Sequence, residues 1–78
     1  MNEVRLIIKI PYLFKEYYVS FSSDLTLIEN IKLLNQMINE KIFTKDIIIV
    51  ESNTGIILNT NYNLKKLKVT EGMTLILY

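Results

Sequence analysis

The chain has 78 residues, of which 50% are apolar or aromatic and 22% are charged, a composition typical of one small globular domain. Nine basic and eight acidic side chains leave a net charge of +1, which argues against a surface built to bind nucleic acid. Cysteine and histidine are both absent, which excludes disulfides, thiolate nucleophiles, histidine-based catalysis and the usual zinc ligands.

The start of the sequence does not resemble a targeting segment. Glu3, Arg5 and Lys9 interrupt the first ten residues, so the apolar stretch of a signal peptide is missing. No apolar run approaches the roughly 20 residues that cross a bilayer. We therefore expect a cytoplasmic protein without direct membrane insertion.

The first third of the sequence predicts a β-hairpin. Residues 4–10 alternate with the period of two that is typical of a strand, and Pro11 should end it. A turn over residues 12–16 then leads to a second β-rich run at residues 17–21.

An amphipathic helix follows the hairpin. Thr26 and Glu29 have the spacing of a capping box, in which each side chain satisfies a free amide of the first helical turn. We expect the helix to end near residues 39–41 and to lie on a sheet. Its apolar stripe consists of Leu27, Ile31, Leu34 and Ile38.

The last third of the sequence predicts three more strands. Residues 47–51 and 56–58 form two short apolar runs on either side of a turn. Leu64 and Leu67 have the spacing of anchors in a short helical turn or loop. Residues 73–78 alternate again, which gives the order β-β-α-β-β-β in one domain over residues 1–78.

Two segments resemble ubiquitin. The helix start at residues 25–32, LTLIENIK, resembles TIENVK of ubiquitin, and residues 64–78 align with its last turn and strand without a gap. The closing segment at residues 69–78, VTEGMTLILY, is also similar to the small ubiquitin-like accessory proteins of type VII secretion systems in Gram-positive bacteria. The resemblance implies an α+β fold of the ubiquitin-like β-grasp class, with a mixed sheet around one helix and its first and fifth strands parallel at the centre.

The resemblance also implies a function. It indicates a non-catalytic protein-interaction module of a bacterial type VII secretion system, with protein partners among the membrane or ATPase components of that machine. A divergent ubiquitin-like modifier or sulfur carrier is an alternative, but those proteins act through a C-terminal Gly-Gly. Here the only glycines, Gly55 and Gly72, lie in predicted turns, and the sequence ends at Tyr78 without a glycine tail. A generic β-grasp adaptor of another system is the third reading.

The sequence shows no constellation of catalytic or metal-binding residues. We find no paired carboxylates, no nucleophile with its base and no phosphate-binding glycine loop. Glu29 is interpreted as a helix cap, and Asp24 and Asp46 as turn residues. We therefore predict no enzymatic activity and no cofactor or metal.

Strand alternation predicts an apolar patch on one sheet face. It consists of Ile7, Ile76 and Tyr78, with Ile48 added if Ile47 and Ile49 face the helix. The corresponding face of ubiquitin is its main recognition surface, which favours a protein-binding patch. Scattered exposed apolar residues are also ordinary on proteins, and a homodimer is another way to bury such a face.

Three further groups have two interpretations each. Leu33 and Met37, one helical turn apart, either dock a partner or cover a sheet edge. The apolar hairpin turn at residues 12–14, which includes Leu13 and Phe14, either folds back on the core or forms a contact. The cluster of Lys65, Lys66 and Lys68 is interpreted as a solvated face, with an acidic partner as the alternative.

Overall fold

A computed structural model describes residues 2–39, 41–42 and 44–78 of the chain. Within these residues, strands and one α-helix follow one another in the predicted order β-β-α-β-β-β. The elements are β1 (Glu3–Ile10), β2 (Lys15–Ser22), α1 (Leu27–Met37), β3 (Ile49–Glu51), β4 (Ile57–Leu58) and β5 (Thr74–Leu77).

The strands form one mixed sheet in the order β2-β1-β5-β3-β4. The central pair, β1 and β5, is parallel, and Ile7 lies opposite Thr74 in it. All other neighbouring strands in the sheet are antiparallel. The sheet therefore has the α+β β-grasp topology that the resemblance implied, with the first and last strands side by side at its centre.

The hairpin turn is shorter than predicted. A 3₁₀ turn over Pro11–Leu13 and a left-handed residue, Phe14 at φ 55°, reverse the chain in four residues. Pairing therefore begins at Ile10 opposite Lys15 and continues to Glu3 opposite Ser22. The predicted turn over residues 12–16 was too long, and β2 extends beyond residues 17–21 at both ends.

The core lies between α1 and the inner face of the sheet. The capping box at Thr26 and Glu29 is confirmed, with each residue accepting a backbone hydrogen bond from the other. Each fully buried Ile or Leu side chain contributes roughly 1.5–3 kcal/mol from its transfer out of water. The most deeply buried side chains are Ile8, Ile10, Leu27, Ile31, Ile42, Ile49, Leu64, Leu75 and Leu77.

The helix ends earlier than its sequence pattern predicted. It stops at Met37, and Ile38 is already extended at φ −109° and ψ 159°. The Asn35 side chain accepts from the backbone N–H of Ile42 at 2.8 Å and donates to its carbonyl at 3.1 Å. These bonds hold the returning chain against the helix, so that Ile42 enters the core. The predicted end at 39–41 was wrong, and residue 40 within it lies outside the described residues.

The segment between β4 and β5 contains a single helical turn anchored by apolar side chains. Leu64 is fully buried and Leu67 packs against the core, as expected of anchors. The N–H of Leu67 donates to the carbonyl of Asn63 at 3.1 Å, four residues earlier. Lys68, with a left-handed φ of 58°, ends the turn, and the N–H of Val69 donates back to the carbonyl of Leu64 at 3.0 Å. Of the two predicted forms, a helical turn or a loop, the structure therefore has the helical turn.

Candidate functional site

One apolar surface covers much of the sheet on the side away from α1. We call it the outer apolar face. In β1, β2, β3 and β5, strand alternation directs its side chains outward, while their neighbours on the strand pack against the core. Its members are Ile7, Tyr18, Ile48, Val50, Ile57, Ile76 and Tyr78.

Ile76 lies at the centre of the outer apolar face. On one side it is opposite Val50 of β3, and Val50 is in turn opposite Ile57 of β4. On the other side Ile76 is opposite Lys9 of β1. Three apolar side chains therefore form an unbroken row across three strands, bounded by a charged residue on β1.

Ile48 and Tyr78 extend this surface beyond the ends of β3 and β5. Their backbones exchange two hydrogen bonds, 3.1 Å from Ile48 N to Tyr78 O and 2.8 Å from Tyr78 N to Ile48 O. The side chains are 47% and 57% exposed. Ile49, the next residue on β3, is fully buried. The phase of β3 is therefore the one in which Ile48 points outward.

Ile7 belongs to the same face but to a different row. It lies opposite Thr74 on one side and opposite Tyr18 of β2 on the other. Ile7 is therefore diagonal to Ile76 and in direct line with Tyr18. The structure thus places Ile7, Ile48, Ile76 and Tyr78 on one surface, and their role in binding stays a prediction.

Three members of the outer apolar face, Tyr18, Val50 and Ile57, were missed by sequence reasoning. Val50 has the same strand phase as Ile48, and the all-apolar run at residues 47–50 did not fix that phase. Tyr18 is 78% exposed and Ile57 is 67% exposed, so both offer more surface than the half-buried Ile7 and Ile76. The predicted hairpin and the alternation of β2 already directed Tyr18 away from Tyr17 and Val19, but they did not give the register that places Tyr18 opposite Ile7. A strand of two residues has no period, so Ile57 gave no such signal.

Charged pairs border the outer apolar face on the β1 side. Arg5 donates to both carboxylate oxygens of Glu71, through its backbone N–H at 2.7 Å and its Nε at 2.6 Å. These two bonds, the backbone one first, lower the pKa of Glu71. A shallow depression of about 540 Å³ lies beside this pair, between Ile7 and Tyr18.

A second charged group lies further along β1 and β2. Lys9 is 3.9 Å from Glu16, and the Tyr18 hydroxyl donates to Glu16 at 3.0 Å. The hydrogen bond to this carboxylate, and then its charge, raise the pKa of Tyr18. Both acidic residues are exposed, so the pairs orient side chains around the face more than they stabilise the fold.

The secondary candidates occupy other surfaces. Leu33 and Met37 are 47% and 81% exposed on α1 and face a groove beside β2. The two apolar residues of the hairpin turn have different environments, because Leu13 packs against the core whereas Phe14 is 95% exposed. Leu13 therefore folds back, and Phe14 is the part of this turn that is free for a contact.

The lysine cluster makes contacts within its own chain. Lys65 lies 3.6 Å from the carboxylate of Asp24, and Lys66 lies 4.1 Å from the centre of the Tyr62 ring. All three lysines are exposed. These contacts fit the interpretation of a solvated face.

The described residues contain no cluster of three or more acidic side chains that could hold a metal ion. Among the same residues, no helix has the length and apolar character needed to cross a membrane. What the outer apolar face offers is contact area, carried at its centre by paired strands and charged along one border.

No family model matches the sequence, and no curated protein matches it either. The structure is similar to the solution structure of a ubiquitin-like domain from Arabidopsis thaliana, with a TM-score of 0.76 and 20% identity over 100% of this chain and 78% of that one. The chain has a ubiquitin-like fold. The ubiquitin of Caldiarchaeum subterraneum gives a TM-score of 0.75 with 14% identity over 96% of this chain and 90% of that one.

A third ubiquitin-like structure is similar over nearly its full length. The ubiquitin-like domain of Plasmodium falciparum Dsk2 matches with a TM-score of 0.68 and 19% identity, covering 97% of this chain and 99% of that one. At such identities the likeness shows the fold alone. It confirms the predicted ubiquitin-like β-grasp, and the more specific resemblance to type VII secretion proteins stays a prediction.

Proposed function

We propose that this chain is a non-catalytic protein-binding module that docks through the outer apolar face. The observation that carries the proposal is the grouping of exposed apolar side chains: Tyr18, Ile48, Ile57 and Tyr78 all lie on this one surface. Exposed apolar side chains grouped on one face of a small domain are typical of an interaction site, since their contact with water has a cost in free energy.

The architecture of the face suits docking. Its residues stand on hydrogen-bonded strands, so a partner would order few side chains on binding. Ile76 and Val50 at the centre are partly shielded, whereas Tyr18, Ile57 and Tyr78 around them are exposed. A few central anchors within a wider contact area dominate the energy of most interfaces.

The proposed partners follow from the resemblance of residues 69–78. By that resemblance the chain is a cytoplasmic accessory component of a bacterial type VII secretion machine, and its partner is an ATPase or membrane component of that machine. A secretion ATPase encoded beside the gene, and direct binding of its soluble domains, would support this assignment. A neighbouring adenylating enzyme would favour the carrier alternative instead.

The test is a binding titration with Ile76→Asp. A charge at the centre of the face should weaken partner binding by about 30-fold or more, as expected for a hot-spot residue worth about 2 kcal/mol. Phe14→Asp is the matched control, because Phe14 is an exposed apolar residue away from the face and Asp tolerates its left-handed backbone. Calorimetric titration of wild type and both variants measures the change.

Folding must be checked by circular dichroism, since Ile76 is partly buried. Tyr78→Asp, at an exposed position of the same face, is the second variant and should weaken binding in the same direction. Loss of binding in Phe14→Asp with normal binding in both face variants would assign the contact to the hairpin turn and contradict the proposal.

A further inference from the structure

The sheet has two edges of very different length. β4, at one edge, has two residues, whereas β2, at the other, has eight. A long edge strand carries a row of backbone donors and acceptors that can pair with another strand. The edge of β2 is therefore a second surface with a defined binding chemistry, different from that of the outer apolar face.

The hydrogen bonds at the end of β2 show which groups face the open edge. The N–H of Ser23 donates to the carbonyl of Asn2 at 2.6 Å, while Ser22 turns both its backbone groups to the side chain of Asn30, each at 2.9 Å. Because backbone direction alternates along a strand, Glu16, Tyr18 and Ser20 also direct their N–H and C=O groups outward. Within the described residues, these groups make no backbone hydrogen bond across the open edge.

A groove runs along this open edge. It has a volume of about 490 Å³ and lies between β2 and α1. Leu33 and Met37 of the helix form one wall, and Tyr17 and Val19 of the strand form the other. A strand added to β2 would place alternate side chains in this groove, against apolar surface that the core does not cover.

We propose that β2 pairs antiparallel with β2 of a second copy, so that the two sheets join into one across a two-fold axis. A two-fold interface requires a self-complementary surface, and an antiparallel strand edge has this property. The Asn30 side chain already bonds both backbone groups of Ser22. Three outward-facing residues, Glu16, Tyr18 and Ser20, are therefore left for pairing. The register with Tyr18 opposite its own copy uses all three, because Glu16 then lies opposite Ser20. Shifting one β2 strand by two residues relative to the other leaves only two hydrogen-bonded pairs.

One charge contact distinguishes this register from its alternatives. Placing Glu16 opposite Ser20 of the second copy avoids the direct contact between two Glu16 side chains that a register centred on Glu16 would create. On its other side Glu16 keeps its own Lys9, at 3.9 Å, as a neighbour of opposite charge. The Ser20 that it faces is already bonded to Glu3 at 2.6 Å, and Arg5, one strand further along the row, is bonded to Glu71. The net charge of +1 per chain adds little repulsion.

The side chains on the inner side also fit. In this register Tyr17 lies opposite Val19 of the second copy, and both point toward α1. Each strand therefore inserts a tyrosine and a valine into the groove of the other copy, against Leu33 and Met37. This pairing assigns a role to two exposed helix residues that lie outside both the core and the outer apolar face.

Amide hydrogen exchange of the wild-type protein tests the pairing without any substitution. Raising the concentration from about 1 µM to about 1 mM should slow exchange at Glu16, Tyr18 and Ser20 by at least about 10-fold. The amides of Tyr17 and Val19 already face β1 and should change little. Exchange at the three edge amides that is independent of concentration would overturn the proposal.

Sedimentation velocity on matched variants tests the edge itself. Tyr18→Pro removes an outward N–H and places a ring at the two-fold axis, while the bonds to β1 remain, so dimerisation should weaken by at least about 100-fold. Tyr18→Thr loses the same side chain but keeps the N–H, and should weaken it by less than about 10-fold. Met37→Lys, in the groove, is a second variant that should weaken dimerisation. It keeps the test valid if Tyr18→Pro does not fold.

Ile76→Asp separates this proposal from docking through the outer apolar face. Ile76 lies two strands away from the β2 edge, so its substitution should leave the dimer intact. A dimer that dissociates in Ile76→Asp but persists in Tyr18→Pro or Met37→Lys would be joined through the outer face and would overturn the proposal. A wild-type chain that stays monomeric over the whole concentration range would overturn it as well.

Discussion

Glu51 shows how one carboxylate organises a turn at the scale of a single residue. Its side chain is only 7% exposed. It accepts from the backbone N–H groups of Asn53 and Thr54 at 2.9 and 3.0 Å, and from the Thr54 hydroxyl at 2.9 Å. These donors, the Asn53 amide first, lower the pKa of Glu51 below its ordinary value. The charged form of the Glu51 carboxylate therefore stabilises the turn between β3 and β4.

The lowered pKa of Glu51 predicts a pH dependence of stability. Because the folded pKa lies below the unfolded value of about 4.3, the stabilisation is complete well above that pH and disappears as the pH falls through the folded pKa. We expect Glu51→Gln to be less stable than wild type at pH 7, and the difference in the free energy of unfolding to shrink toward pH 2. Urea denaturation across this range measures it, and a pH-independent difference would contradict the assignment.

The structural role of one glutamate could be predicted from the sequence, whereas that of another could not. Glu29 was predicted as a cap because a threonine three residues earlier completes a known local pattern, and the structure confirms it. Glu51 ends an apolar run and was assigned only to a strand. Its role depends on how the following turn folds back, and a composition of Ser, Asn, Thr and Gly predicts such a turn without specifying which side chain accepts its amides.

Asn30 connects two elements, α1 and β2. Its side chain is 3% exposed, accepts from the N–H of Ser22 and donates to the carbonyls of Ser22 and Thr26. A helix side chain thus substitutes for a neighbouring strand at the last residue of β2. The amide fixes where the helix begins relative to the sheet edge, and it limits the part of the edge that is open.

Replacing Asn30 should loosen this connection. Asn30→Ala leaves two backbone groups of Ser22 without their partner, and we expect the free energy of unfolding to fall by about 2–3 kcal/mol. Hydrogen exchange of the Ser22 amide should accelerate more than that of the surrounding amides. A general loss of packing would instead accelerate exchange at many positions. Gln36→Ala, on the exposed side of the same helix, is the control and should change stability by no more than about 0.5 kcal/mol.

The elements themselves were predictable, whereas their ends were not. Period-two alternation gave β1, β2 and β5, and the helical stripe gave α1, since these patterns depend on which side faces the core. Two short apolar runs on either side of a turn gave β3 and β4. The end of α1 depends on the bonds between Asn35 and Ile42, seven residues apart. The membership of Tyr18 in the outer apolar face depends on the register of β2 with β1, which places Tyr18 opposite Ile7. Such contacts between separate segments leave no local periodic signal.

Stability of the whole molecule is concentrated at the centre of the sheet. Leu75 of β5 is fully buried between β1 and β3, whereas Ile57 of the edge strand β4 is 67% exposed. A domain of this size has a total stability of only about 5–10 kcal/mol. The loss of one central side chain is therefore a large fraction of the total.

Two alanine variants compare these positions. Leu75→Ala should lower the free energy of unfolding by about 2–5 kcal/mol, through lost burial and a cavity. Ile57→Ala should lower it by less than about 1 kcal/mol, because its side chain stays largely in water. Thermal unfolding followed by circular dichroism measures both, and equal effects would contradict a concentration of stability at the centre of the sheet.

The parallel pairing of β1 with β5 has a consequence for synthesis of the protein. β1, the first strand of the sheet to be made, needs as its neighbour β5, the last of its five strands: Ile7 pairs with Thr74, and β3 pairs with that same late strand. During translation, β1 and β2 can form their hairpin early, but the sheet has no centre until residues 74–77 leave the ribosome. Until then the apolar inner faces of β1 and α1 lack their main cover, so the nascent chain is exposed to aggregation and to chaperones. Completion of the sheet therefore follows translation of β5.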